Sequence, residues 1–179
     1  MTAAAPALMT VAEYEQLPND DGPFSFELHH GELVQVAKPK LEHYVIQQDA
    51  EQALRARMKS GRLGIEFVYC PVREFELRVA DVAYISAPRW AAAPKRNYFI
   101  GAPDLVIEVV SPSNTIAGME ALQALCLENG AIEFWVISPV SMTVWVMRND
   151  GTAAFYRAGQ HIPLDVIGGG SLAVDEIFV

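Results

Sequence analysis

The chain has 179 residues, 51% hydrophobic and 20% charged, enough for one ordinary core and well away from the composition of disordered chains. Thirteen basic residues face twenty-two acidic ones, and the net charge of −9 is opposite in sign to that of a dedicated nucleic-acid binder. No apolar run reaches the ~18 residues of a membrane span.

The opening MTAAAPALMTVAEY has no basic residue and is a poor secretory signal. Cys70 and Cys126 are too few and too unpatterned for a disulfide framework or a thiolate metal site. These features lead us to expect a cytoplasmic protein with reduced thiols, folded as one domain over residues 1–179, with residues 1–9 as a flexible N-terminus.

Taken in chain order, Thr10–Leu17 predicts a short helix, with Thr10 as N-cap and Glu13 as its capping-box partner. Pro18 stops it, and Asn19–Gly22 reads as a turn. Phe24–Leu28 and Glu32–Ala37 predict a β-hairpin around His29, His30 and Gly31. Leu41–Lys59 has helical spacing, with Leu41, Val45, Ile46, Ala53, Leu54 and Met58 near one face and Gly61 as a stop.

Strand-like stretches follow at Ile65–Cys70, Arg73–Leu77 and Asp81–Ser86, then a Pro- and Ala-rich excursion over Ala87–Gly101 with Trp90, Tyr98 and Phe99 against the body. Leu105–Val110 is almost wholly apolar, as a central strand buried on both faces would be. Thr115–Glu128 returns to helical spacing and closes at Asn129-Gly130; Glu133–Ser138, Met142–Arg148 and Ala154–Tyr156 are further strands. Strands around two main helices indicate an α/β domain with a mixed sheet.

Glu108, inside LVIEVV, is the unusual residue. A carboxylate buried unpaired costs several kcal/mol, so it requires a partner. An arginine pair or an outward-facing edge position would serve; so would a metal, because Mg²⁺ prefers carboxylate oxygens. Asp81, opening DVAYIS, could share one ion with Glu108 if their strands are neighbours. Asp104 lies four residues before Glu108, roughly 13 Å along a strand, too far to clamp the same ion directly, and after Pro103 it could equally be a turn or cap residue.

Glu27 and Glu32 read singly as solvated hairpin charges. His43 could face solvent near a helix start or reach a phosphate or water. His29-His30 is not a metal motif by itself. Gly168–Gly170 has no P-loop lysine and reads as a flexible turn. Ser111 and Ser113 lack a nucleophile-elbow context and read as the cap of the following helix.

FELHHGELV, a helix with an early histidine, DVAYIS, GAPDLVIEVVSPS and EFWVISP together resemble the bacterial restriction endonuclease family of the PD-(D/E)xK superfamily, over nearly the whole chain. The resemblance implies a restriction-endonuclease-like mixed β-sheet flanked by helices, with an N-terminal hairpin. It also implies Mg²⁺- (or Mn²⁺-) assisted phosphodiester hydrolysis of DNA. Position by position, Glu27 matches the family's first acid, Asp81 the first PD-like aspartate (here after Ala80, not proline), Asp104 the second, Glu108 the acid of the ExK-type strand and His43 the helix histidine.

Asp81 and Glu108 are the implied metal ligands, making the expected catalytic set Glu27, His43, Asp81, Asp104 and Glu108. The family lysine, four residues before a tyrosine on the next helix, falls on Leu122, with Cys126 at the tyrosine position. No lysine follows Lys95. Lys95 or Arg96 could substitute only by migrating in from the excursion. The resemblance therefore leaves two readings: an endonuclease impaired by Leu122, or a degenerate nuclease fold serving as a binding or regulatory protein. An oligomeric interaction protein with purely structural acids is a third. DNA is disfavoured as a partner by the net charge, and a homodimer is expected by analogy with two-strand cleavage.

Overall fold

The computed structural model describes residues 8–18, 24–94 and 98–179. Its first half contains helix α1 (Val11–Tyr14), the hairpin strands β1 (Phe24–His29) and β2 (Glu32–Ala37), helix α2 (Leu41–Arg55), strands β3 (Arg62–Cys70) and β4 (Arg78–Ile85) and helix α3 (Ala87–Ala92). Strand β5 (Phe99–Ile100), strand β6 (Leu105–Val109), helix α4 (Ile116–Glu128) and strands β7 (Glu133–Ser138), β8 (Thr143–Arg148), β9 (Ala153–Arg157), β10 (His161–Pro163) and β11 (Ser171–Ala173) follow.

Seven strands make one mixed sheet in the order β5-β3-β4-β6-β7-β8-β9, so β6 has three strands on either side. The pairs β3/β5 and β6/β7 are parallel and the others antiparallel. All five side chains of β6 are buried, as its unbroken apolar run predicts.

On one face, Ile107 and Val109 meet Ile46, Ala50 and Leu54 of α2 and the C-terminal Ile162, Leu164, Leu172, Val174 and Ile177. On the other, Val106 and Phe134 meet Cys126, with Met119 and Leu122 of α4 packed against them. This is the expected mixed sheet flanked by helices, with an N-terminal antiparallel hairpin. No helix among the described residues is long and apolar enough to cross a membrane.

Several elements differ from their sequence expectation. Arg73–Phe75 form a turn, with Glu74 at φ 80°, and Leu77 makes an isolated antiparallel bridge to Leu28, so no strand runs over Arg73–Leu77 and its main chain serves its neighbours. Glu74 O accepts from Val11 N, Phe75 O from Gly31 N, and Leu77 exchanges N–H and C=O with Leu28. Those bonds replace a ladder and fasten α1 and the hairpin to the sheet. Met9, within the expected flexible N-terminus, donates its N–H to Gly31 O.

Helix α2 ends at Arg55 rather than Lys59, where Arg57 and Met58 both turn their N–H groups onto Leu54 O. Its buried face is Ile46, Gln47, Ala50 and Leu54, while Leu41 and Val45 are exposed. The face is rotated from the expected one because it must bring Gln47 inward. Ile116, one of the residues whose spacing marks Thr115–Glu128 as a helix, is likewise exposed. The expected Asn19–Gly22 turn lies outside the described residues, as do Lys95 and Arg96.

Gly61 carries the chain from α2 into β3 at φ 105°, and a Cβ there would stand 2.5 Å from Ile85 O. Gly61→Ala should therefore cost about 1–3 kcal/mol in urea unfolding. Gly64→Ala on β3, where nothing lies within 4 Å of the added carbon, should change stability by less than about 0.5 kcal/mol. Equal losses would contradict this account of the turn.

Candidate functional site

Strands β4 and β6 run antiparallel, so the start of β4 lies beside the end of β6. Their ladder pairs Tyr84 with Leu105, Ala83 with Val106 and Val82 with Ile107, and stops there. One residue on, the Asp81 side chain takes over, with Oδ2 accepting the Val109 N–H at 2.6 Å. The Asp81 main-chain N–H in turn bonds toward the Glu108 carboxyl. The two acids thus stand at the point where the central strands part, each held by a main-chain N–H of the other's strand.

Glu108 is 9% exposed, and its Oε1 is buried with no hydrogen-bond partner among the described residues. Burial drives its pKa well above the ordinary carboxylate value. The negative charges of Asp81, Glu27 and Glu66 add to the shift, and the Asp81 N–H opposes it. No arginine compensates Glu108, and it does not face outward, so the two structural partners that the sequence allowed are not what the described residues provide.

Helix α2 supplies the lid over Asp81. His43 Nε2 lies 3.0 Å from Asp81 Oδ1, and Gln47 Nε2 donates to the same oxygen at 2.7 Å. The spacing of four residues puts both side chains on one helical face. The hydrogen bond to Asp81 raises the His43 pKa; burial opposes it, and the charges of Asp81 and Glu66 reinforce it. Gln47 is fully buried, and its Nε2 also donates to Glu66 Oε1 at 2.5 Å.

Glu66 is a site residue that sequence reasoning missed. It sits on β3 between the pairs Ile65–Val82 and Phe67–Ala80, opposite Asp81, and its backbone adopts φ 48°. The residue as a whole is solvent-exposed, but partial desolvation of its carboxyl pushes its pKa up; the Gln47 hydrogen bond opposes that shift and the charge of Asp81 adds to it. In the string GIEFVY nothing separates it from a solvated strand charge; only the cross-strand register reveals it.

Glu27, on β1, reaches the same region from the hairpin. Its Oε2 lies 2.7 Å from His29 Nε2 and 3.8 Å from Arg78, and its Oε1 accepts from Val79 N at 3.3 Å. Arg78 is in turn held by Glu76 at 2.9 Å. His30 bonds Glu76 through both its main-chain N–H and its ring. Glu32 remains exposed at the hairpin.

Asp104 stands apart, at the opposite end of β6. Its carboxylate accepts from Ser86 N at 2.8 Å and lies 3.4 Å from Arg89, and its carbonyl receives the N–H groups of Ile132 and Glu133. Leu122 lies half-buried on α4, packed against the apolar cluster on the Glu108 side of the sheet. Beside it the Tyr69 hydroxyl lies 3.1 Å from Cys126 Sγ, and burial pushes that thiol up to about 12, so it is not a nucleophile at neutral pH.

Chemically, the donor set is hard and anionic. Among the described residues no three Asp, Glu, His or Cys side chains are already grouped as metal ligands. The orphaned Glu108 Oε1, with Asp81 as its strongest like-charged neighbour, nevertheless suits a hard divalent cation held by two carboxylates and water.

Because the Glu108 pKa is raised by folding, protonation favours the folded state. The penalty is absent below the ordinary carboxylate value and grows as pH rises toward the folded-state value. Metal-free Glu108→Gln should therefore unfold at a higher temperature than the wild type at pH 7, with the gap closing toward pH 4. A gap independent of pH would show that Glu108 is not the titrating group.

A comparison with protein families matches residues 11–175 to Uma2, described as putative restriction endonuclease. A comparison with curated proteins finds no match. Among solved structures, a putative nuclease belonging to DUF820 from Anabaena variabilis superposes with a TM-score of 0.78 at 21% identity, covering 95% of this chain and 97% of that one. That similarity bears on the fold, and it agrees with the strand order and flanking helices described above. The match over residues 11–175 and the resemblance carried by APDLVIEVVSPS lead to the same place: the chain belongs to the Uma2 family of putative restriction endonucleases.

Proposed function

We propose that this protein is a divalent-metal-dependent DNA endonuclease whose catalytic power is reduced by Leu122. The observation carrying this reading is the buried Glu108 Oε1 without a partner, next to Asp81 at the parting of β4 and β6. Asp81 and Glu108 would hold Mg²⁺ or Mn²⁺. When bound, the cation supplies Lewis acidity toward a phosphoryl oxygen and lowers the pKa of water.

The chain's own residues do the rest. His43 Nε2 donates a hydrogen bond to Asp81 Oδ1 and orients that carboxylate, while the Val109 N–H fixes Oδ2. Glu27 orders the start of β4 through Val79 N and His29. In this reading Asp104 is an anchoring residue, since Ser86 and Arg89 engage its carboxylate at the far end of the strand.

The chain lacks a cation on α4. Leucine can neither donate a hydrogen bond nor carry charge. Arg78, three residues before Asp81 on β4, is engaged by Glu76 and Glu27. This favours, as a second reading, a degenerate nuclease fold that keeps the metal and acts as a binding or regulatory module. DNA as substrate must overcome the net charge of −9, which a bound divalent cation offsets locally. A homodimer, presenting two sites to two strands, belongs to the same proposal.

Supercoiled plasmid with Mn²⁺ tests it. Wild type should nick slowly, Leu122→Lys should be faster by about 10²-fold, and Asp81→Asn or Glu108→Gln should abolish both activities. Cleavage surviving Asp81→Asn would remove this site from the chemistry. Mn²⁺ binding without cleavage by any variant would establish the binding-module reading.

A further inference from the structure

Gln47 is completely buried, yet its amide is satisfied on one side only. Nε2 donates to Glu66 Oε1 at 2.5 Å and to Asp81 Oδ1 at 2.7 Å, whereas Oε1 is buried with no partner among the described residues. An orphaned buried amide oxygen is destabilising, because it has left water without gaining a donor. Glu108 Oε1, on the adjacent strand, is orphaned in the same way. Two unpartnered buried oxygens, one on Gln47 and one on Glu108, thus lie among the carboxylates of Glu66, Asp81 and Glu108, of which only Asp81 has a histidine beside it.

The position of the Gln47 nitrogen is informative. It stands between one oxygen of Glu66 and one of Asp81 at separations near those a cation keeps from carboxylate oxygens, about 2.0–2.6 Å for Mg²⁺ and Ca²⁺. A neutral NH₂ group is a weak substitute there. The strand supports the arrangement at a cost: Glu66 holds a left-handed backbone, φ 48°, while the pairs on either side of it keep their register. No residue is inserted in β3, yet the strand turns over at Glu66: Leu63 and Ile65 pack on the α2 side of the sheet, Phe67 and Tyr69 on the α4 side.

We propose that Glu66 and Gln47 complete the cation site of Asp81 and Glu108. The Gln47 amide nitrogen holds the place between Glu66 and Asp81 until a hard divalent cation takes it; because Glu108 Oε1 makes no hydrogen bond to that nitrogen, the Glu108 carboxyl would have to swing in to share the cation. Displacing the nitrogen frees the amide to turn its oxygen toward the cation, so Oε1 passes from orphan to ligand and Glu66 gains a counter-charge. The inference rests on the reading of Asp81 and Glu108 as cation ligands and extends it to two residues from α2 and β3 that the family resemblance does not name.

Calorimetric titration with Mn²⁺, alongside the Mn²⁺-induced rise in melting temperature, tests it on the full chain. Glu66→Gln keeps an oxygen acceptor for Gln47 Nε2, so a merely structural hydrogen bond survives it and a cation ligand does not. It should weaken Mn²⁺ binding at least tenfold while raising the melting temperature of the metal-free protein. Gln47→Met, chosen to preserve buried volume, should also weaken Mn²⁺ binding about tenfold; should it fail to fold, Glu66→Gln decides alone. Wild-type affinity in Glu66→Gln, with binding lost in Asp81→Asn, would overturn this inference and leave the Asp81–Glu108 reading standing. Absence of Mn²⁺ binding by the wild type would overturn both.

Discussion

A carboxylate in the central strand of a sheet is the constraint around which this molecule is arranged. Glu108 occupies a strand whose other four side chains are apolar and buried, and removing a charge from water there costs several kcal/mol after relaxation. The sheet accommodates it by opening. The β4–β6 ladder ends at Val82–Ile107, and the main-chain acceptor that Val109 would otherwise find is replaced by the Asp81 carboxylate. The same replacement brings a second acid within range of the first. Closing the ladder by one more pair would satisfy the backbone and remove the site.

Three separate segments hold that opening. Helix α2 reaches down with His43 and Gln47, the hairpin reaches across with Glu27, and β3 offers Glu66 from the other side. The hairpin is fixed by more than its own pairing. Glu76, almost fully buried, takes the His30 N–H and the Arg78 guanidinium, and Leu28 and Leu77 exchange main-chain bonds. A buried ion pair of this kind contributes little net stability but strongly penalises rearrangement, since breaking it leaves a charge stranded. Its consequence here is that the start of β4, and with it Asp81, has one position.

The opposite wall is apolar. Leu122 packs with the α4-side cluster, and Cys126 fills the space beside the Tyr69 hydroxyl. The site therefore has carboxylates from β4 and β6 and no basic residue on α4 to face them. The asymmetry suits holding a cation better than stabilising the charge that accumulates on a phosphoryl group, where preorganised donors make the largest difference. The acidic half and the missing lysine are two aspects of one electrostatic arrangement.

The amino-acid sequence by itself determined the elements that short-range chemistry controls. Thr10 and Glu13 form the capping box, the hairpin turns at His30-Gly31, and LVIEV becomes a strand buried on both faces. It also determined the oddity of Glu108, because an ionisable residue within an apolar run is visible without coordinates. Tertiary structure alone decided which residues meet that acid. Gln47 looks like a polar helix residue until the rotation of α2 buries it, Glu66 like a solvated strand charge until the β3–β4 register sets it against Asp81, and Arg73–Leu77 like a strand until its carbonyls are claimed by α1 and the hairpin. Asp104, alike in composition to Asp81, is drawn to Ser86 and Arg89 instead. Periodicity reports which face of an element is apolar, whereas a site depends on register, helix rotation and the pairing of segments distant in the chain, and these are set by the packing of the whole.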